Sequence, residues 1–302
     1  MPWPFRKKPA SQQQRDAEQQ SPQGEQQVAL PKMAGDRRFL EHVPYMLPKD
    51  LSEINRLDFQ HYALRATLKA NYLAPLGQPR TILDVGCGTG QWSYEMAGTF
   101  PSAQVTGFDL EAGKVPGVDN YHFVAGNVLD GLPFLAEQFD YVHQRLLVTA
   151  LPLTAWPGEI KELVRVTRPG GWVELLEGGD EITPIGPATR QMFGLMSQLA
   201  ASRGLDTNGV VSRSLGDYLH QAGLQEVKTG VIDIPLGQWG GRTGGLMSTN
   251  FRTTFASVRE VFQARFHMSR EDIGRLLEAM PQEWEQYHTL YRFTYGYGQK
   301  GL

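Results

Sequence analysis

The sequence predicts an α/β fold built on a doubly wound, mostly parallel sheet, and three observations carry that expectation. Short apolar segments alternate with helical stretches from residue 81 to residue 176, which gives five strands in series. The first of these strands runs into glycines at alternate positions and then into a helix, in Ile82-Leu83-Asp84-Val85-Gly86-Cys87-Gly88-Thr89-Gly90-Gln91. The second, Val105-Thr106-Gly107-Phe108-Asp109-Leu110, closes on an acid.

Taken in order, Asp50 and Glu53 have the spacing of a capping box and open a helix through Leu57, Leu64 and Leu68, closed by Pro75 and Gly77. Strands are expected at residues 81–85, 104–109, 122–125, 139–143 and 171–176, with helices at 91–97 and 159–167 between them. Arg168, Pro169, Gly170 and Gly171 read as a stop and turn. Further helices at about 189–203 and 215–222 precede a strand at 227–234. A helical insertion over about 245–288 then separates that strand from a last one at 291–296.

Residues 1 to about 35 are rich in Gln with Pro, Glu and Ser, too poor in large apolar side chains to offset their ordering entropy, and are expected to be a disordered tail. The rest, about 36–302, reads as one domain: a helical cap to 78, a ligand-binding core over 79–180, and a second half from 181 that carries the insertion.

Composition narrows the function. A chain of 302 residues, 41% apolar and with a net charge of -3, can bury one sizeable core and lacks the basic excess of a nucleic-acid binder. No apolar run reaches the roughly 20 residues that span a bilayer, and the start lacks the apolar segment of a signal peptide, so no membrane partner and a cytoplasmic location are expected. The single cysteine, Cys87, excludes an intramolecular disulfide, and no Cys-x-x-Cys or His-Glu-x-x-His spacing suggests a metal.

The glycine loop is the most informative segment. Glycines there let the backbone pass close to a ligand and adopt positive φ. A dinucleotide fingerprint needs a third glycine where Gln91 stands, which disfavours NAD, and no Gly-Lys-Ser/Thr follows Gly86, which disfavours a phosphate-cradling loop. Asp109, about twenty residues on, is placed where a strand-end carboxylate accepts the hydroxyls of a ribose.

At this point D-V-G-C-G-T-G followed by G-F-D-L resembles motif I and the acidic loop of class I methyltransferases. Leu47-Pro48-Lys49-Asp50 through Arg56-Leu57-Asp58-Phe59-Gln60-His61, Phe139-Asp140-Tyr141-Val142-His143-Gln144-Arg145 and Arg168-Pro169-Gly170-Gly171-Trp172-Val173-Glu174 are similar to LaeA-like methyltransferases. The resemblance implies a Rossmann-like, seven-stranded, mostly parallel sheet and S-adenosyl-L-methionine as methyl donor. It implies that Gly86, Gly88 and Gly90, with Cys87 between them, face the methionine part and that Asp84 supports the loop. Asp109 would hold the ribose and Leu110 would pack on adenine. Asn127 stands where many relatives have an acid for the adenine amino group, with Val128 supplying a backbone contact. His143 and Gln144 would lie beside the donor's amino group or sulfonium.

Methyl transfer needs a general base only for some acceptors, and His143, Glu177 and His61 are the candidates, each with an ordinary structural role as its alternative. Arg145 reads either as a partner for an acidic substrate or as a structural ion-pair residue. An Asn-Pro-Pro-Tyr element is absent after the fourth strand, which disfavours DNA adenine and glutamine acceptors. The acceptor pocket is expected from the N-terminal helix, the turn after the fifth strand and the late insertion, with Tyr45, Tyr62, Tyr72, Trp92, Trp239, Phe251, Trp284 and Tyr287 as its aromatics. That composition suits a small, apolar or aromatic secondary metabolite. The rival reading is a donor-binding regulatory protein that acts through protein partners.

Overall fold

The apolar run of Thr81–Val85 forms a strand with Ile82, Leu83 and Val85 fully buried, as expected where a parallel strand is covered on both faces. In this computed structural model, which describes residues 33–34, 37–40, 43–113 and 117–302, that strand lies inside a seven-stranded sheet. The tail expected over residues 1–35 lies outside the described residues apart from β1 (Met33–Ala34), which pairs with β2 (Arg37–Arg38).

The elements follow as α1 (Leu51–Leu68), β3 (Thr81–Val85), α2 (Gln91–Thr99), β4 (Gln104–Asp109), β5 (Tyr121–Ala125), β6 (Phe139–Arg145), α3 (Trp156–Val166) and β7 (Thr167–Thr183). Then come α4 (Pro187–Ala201), α5 (Val210–Gln221), β8 (Leu224–Pro235), α6 (Gly241–Ser257), α7 (Arg259–Phe266), α8 (Arg270–Tyr287) and β9 (Leu290–Lys300). The sheet order is β5-β4-β3-β6-β7-β9-β8, parallel except that β9 runs antiparallel to both its neighbours. The expected Rossmann-like architecture is therefore the observed one.

Successive crossovers leave β3 in opposite directions, to β4 on one side and to β6 on the other. A crevice opens at the carboxyl ends of strands at such a switch point. One face of this half of the sheet packs on α2 through Trp92 and Met96, the other on α3 and α5 through Ile160, Leu163, Val211 and Leu215. A third cluster, from α1, α4 and α6 to α8, covers the far half of the sheet through residues such as Leu64, Met192, Phe255, Met280 and Trp284.

Local signals explain the ends. Asp50 caps α1 by accepting from Glu53 N at 3.1 Å, as the capping-box spacing predicts. The expected helix ends at Val166, just before the Arg168–Gly171 stop signal, and that signal then interrupts the start of β7: Phe139 pairs with Thr167 and Tyr141 with Trp172, so the residues between loop out of the ladder. A second irregularity follows Gly178, where the ladder with β9 resumes only at Ile182. The late insertion is three helices and begins at Gly241, and the last strand extends to Lys300 rather than ending near 296. No helix of the described residues is long and apolar enough to cross a membrane.

Candidate functional site

The glycine loop closes over the end of β4. Gly86 N and Cys87 N both donate to Phe108 O, at 2.8 and 3.1 Å, and Gly88 N donates to Asp109 Oδ2 at 2.8 Å. Gly86 and Gly88 have φ of 68° and 56°, the left-handed region that strains any side chain. A Cβ on Gly86 would lie 2.6 Å from Leu147 Cδ2, so glycine is also required by the approach of the loop after β6.

Around this loop lies a cavity of about 650 Å3, inside the roughly 300–1,000 Å3 range of small-molecule sites. Its one wall is Gly86, Cys87, Gly88, Asp109, Leu110, Asn127 and Val128. Its other wall comes from distant segments: Tyr45, Phe193, Phe251, Phe255, Tyr291 and Phe293. Those rings pack on one another, with Phe193 and Phe255 centroids 5.2 Å apart and Phe251 and Tyr291 4.9 Å apart. Leu146, in the left-handed region at φ 61°, turns the chain so that Leu146–Leu151 floors the cavity.

The polar groups beneath that floor are committed. Glu177, fully buried, accepts from Leu147 N at 3.0 Å and Val148 N at 3.1 Å, and burial pushes its carboxyl up to about 8. It is an internal anchor for the floor, not a solvated turn residue. Asp84 accepts from Ser93 Oγ at 2.6 Å and lies 2.9 Å from His143 Nδ1, so it braces the start of α2. His143 is stacked on Trp92, with ring centroids 3.8 Å apart. His61 Nδ1 accepts from Arg145 Nη2 at 2.9 Å, while Nε2 lies 3.3 Å from Glu95 Oε1. Burial and the neighbouring Arg145 hold the His61 imidazole down to about 4, so it is neutral with its lone pair engaged.

Of the residues expected at the site, Gly86, Cys87, Gly88, Asp109, Leu110, Asn127 and Val128 meet on one wall. Asp84, Gly90, His143 and Gln144 are not on it. Gly90 instead caps α2 at φ 81°. His143, expected as the base, is instead stacked on Trp92 of α2 and off the cavity wall, whereas Arg145, two residues on and at the end of the strand, reaches it. Gln144 is fully buried, and its amide oxygen and nitrogen have no partner among the described residues. Asn127 Oδ1 already accepts from Leu129 N at 3.1 Å, which leaves it one lone pair. Burial raises the Cys87 thiol well above its ordinary range, so it meets the cavity as an unionised side chain.

Several residues on the wall were not expected there. Lys49 Nζ lies 3.0 Å from Asp109 Oδ1. Arg56 forks onto Glu53 at 2.6 and 2.7 Å and also donates to Asn250 on α6, which ties α1 to the insertion. Of the expected aromatics only Tyr45 and Phe251 reach the cavity; Trp92 and Trp284 are buried core, and Tyr62, Trp239 and Tyr287 are exposed.

Comparison with known proteins places this arrangement. Residues 82–171 match a family described as a methyltransferase domain. The chain is 31% identical over 210 residues to methyltransferase str2 of Strobilurus tenacellus, an alignment covering 65% of this chain and 72% of that one. It is 30% identical over 204 residues to the secondary metabolism regulator laeA of Aspergillus fumigatus, covering 65% of this chain and 54% of that relative. A solved phosphoethanolamine N-methyltransferase of Haemonchus contortus shares the fold, with a TM-score of 0.50 at 16% identity over 80% of this chain and 53% of that one. The chain belongs to the class I S-adenosylmethionine-dependent methyltransferases and is related to the LaeA-like group. It is a methyltransferase that takes S-adenosylmethionine as donor.

Proposed function

We propose that this methyltransferase acts on a small, largely apolar acceptor, and that the two walls of the cavity divide the work. The observation that carries this reading is continuity: the glycine loop and the aromatic cluster of Phe193, Phe251, Phe255 and Tyr291 line one space. The donor wall suits the methyl donor: positive-φ glycines leave room that a Cβ would fill, and Asp109 is a strand-end carboxylate 13% exposed to the cavity. Gly86 and Gly88 would pass along the methionine part, Asp109 would hold the ribose, and Leu110, Asn127 and Val128 would border the adenine. When bound, the donor supplies an activated methyl on a sulfonium. The chain supplies alignment and water exclusion, which is worth on the order of 7 to 11 kcal/mol where the reacting atoms are held in register.

No histidine or glutamate among the described residues lines the cavity, and its two aspartates are engaged, Asp109 by Lys49 and Asp206 by Asn208 N at 3.0 Å and Val211 N at 2.7 Å, so neither stands free as a general base. The acceptor then brings a nucleophile that is already ionised or loses its proton to solvent. The relationship to laeA, a secondary metabolism regulator, supports a role in secondary metabolism.

The test is transfer of a labelled methyl group from S-adenosylmethionine in the presence of a panel of aromatic acids, phenols and amines and, separately, of whole-cell protein. Label in the low-molecular-weight fraction supports the reading; label confined to protein sinks it. The laeA relationship favours a second reading, a donor-binding regulator that works through protein partners. Donor binding without turnover on either fraction is the outcome that reading requires.

A further inference from the structure

The cavity wall carries four cations whose partners differ sharply. Lys49 faces Asp109 and Arg56 is forked onto Glu53. Arg190, on α4, is exposed at the rim, where water satisfies it. Arg145 is different: it ends β6, lines the cavity, and among the described residues no carboxylate lies within 4.0 Å of it. We propose that Arg145 is a carboxylate receptor at the floor of the cavity and that the methyl acceptor is an organic acid, a proposal that rests on the small-molecule reading above.

Three features build the receptor. The guanidinium is aimed from behind, because Nη2 donates to His61 Nδ1 at 2.9 Å. His61 Nε2 lies 3.3 Å from Glu95 Oε1 without a hydrogen bond to it, and Glu95 is fixed by Arg65 Nε at 2.8 Å and Asn71 Nδ2 at 2.9 Å. Of the two carboxylates whose charge reaches Arg145, Asp84 is engaged by Ser93 and His143, and Glu95 lies beyond the imidazole. Arg145 keeps further N–H donors for the cavity, in the planar fork that matches a carboxylate.

The electrostatics agree. Burial lowers the Arg145 pKa, and Asp84 and Glu95, neither within 4.0 Å of it, offset that only in part. The donor brings a sulfonium, a second positive charge, into the same space. An anionic acceptor answers both charges, and it needs no base among the cavity side chains to arrive as an anion. Two carboxylates can reach Arg145, that of the acceptor and the α-carboxylate of the donor itself, and the experiment separates them.

The full-length protein is saturated with S-adenosylhomocysteine and titrated calorimetrically with 3-phenylpropanoate and with its neutral amide. The expected result is at least about tenfold tighter binding of the acid, which is about 1.4 kcal/mol. Arg145→Gln should erase that preference, Arg145→Lys should keep part of it, and both should leave S-adenosylhomocysteine affinity within about threefold, well under that 1.4 kcal/mol. Equal binding of acid and amide by the unmodified protein overturns the proposal without needing a variant to fold, and leaves the small-molecule reading standing. Failure of both probes to bind overturns the proposal together with that reading. If Arg145→Gln weakens S-adenosylhomocysteine but not 5′-methylthioadenosine, which lacks the amino-acid carboxylate, Arg145 serves the donor and the organic-acid acceptor is overturned.

Discussion

The two walls of the cavity are made of different material. The wall proposed for the donor is framed by backbone: Gly86 to Thr89 and the ends of β3, β4 and β5, with positions set by ladder registers and by amides that donate to Phe108 O and Asp109. The acceptor wall is side chain: Tyr45 precedes α1, Phe193 is on α4, Phe251 and Phe255 are on α6, and Tyr291 is on β9. Backbone geometry cannot be changed by most substitutions, whereas a ring can be replaced without disturbing a strand. The donor wall is therefore the place where one change should be ruinous, and the acceptor wall the place where change should retune.

The largest expected effect is Gly86→Val. The side chain must occupy positive φ and overlap Leu147, so calorimetry should show donor affinity falling by about 100-fold or more, which is about 2.7 kcal/mol. Near-normal affinity would mean that the loop moves freely and the two-wall contrast is false. Asp109→Ala comes next, at about 10- to 100-fold, from the loss of charge-assisted hydrogen bonds of roughly 1.5–3 kcal/mol. Phe251→Ala should instead change acceptor KM while donor affinity stays within about threefold, less than the 1.4 kcal/mol of a tenfold change. A donor defect in that variant would join the walls into one unit.

The contrast also explains what the sequence makes legible. Gly86, Gly88 and Asp109 can be read because a donor wall of this kind is contiguous: a strand, a loop and the end of the next strand. Gly90 misleads because the same glycine spacing serves the helix cap as well as the ligand wall. His143 misleads for a different reason. On a central parallel strand buried on both faces, Tyr141, Val142, His143 and Gln144 are all inside, so hydropathy does not show that only Arg145, where the strand runs out, reaches the cavity. Phe193 and Tyr291 meet Phe251 only after α4, α6 and β9 have packed, and nothing local marks Trp284 as core and Phe251 as wall. Arg56 and Glu53 look like a solvated pair on a helix, yet they are buried and reach Asn250 nearly two hundred residues away.

Between the walls, His61 makes a seam that pH can probe. Its folded-state pKa of about 4 lies below the unfolded value near 6.5, so the unfolded chain binds the extra proton between those values. Stability should therefore be full above about pH 6.5 and be lost as pH falls toward 4, by about 1–2 kcal/mol between pH 7 and 5. His61→Asn keeps an acceptor for Arg145 and removes the titration, so its melting temperature should fall less steeply with acid than that of the unmodified protein. Identical slopes would place the acid sensitivity elsewhere.

The smallest effect tests whether the donor wall is as finished as its backbone suggests. Lys49 reaches across from the segment before α1 to Asp109, and Arg38 in the same segment forks onto Glu111 at 2.8 and 3.1 Å, so the segment is laid against the end of β4. A ribose that takes both hydroxyl contacts from Asp109 must share Oδ1 with Lys49 or displace it. The pair is largely sheltered, at 15% and 13% exposed, and displacing it costs a ribose the net worth of a hydrogen bond, about 0.5–1.5 kcal/mol. Lys49→Met should accordingly tighten S-adenosylhomocysteine binding by up to about fivefold, about 1 kcal/mol. Weaker binding in that variant would reverse the assignment, because it would show Lys49 holding Asp109 in position for the ribose, and a second charged side chain would then serve a wall framed by backbone.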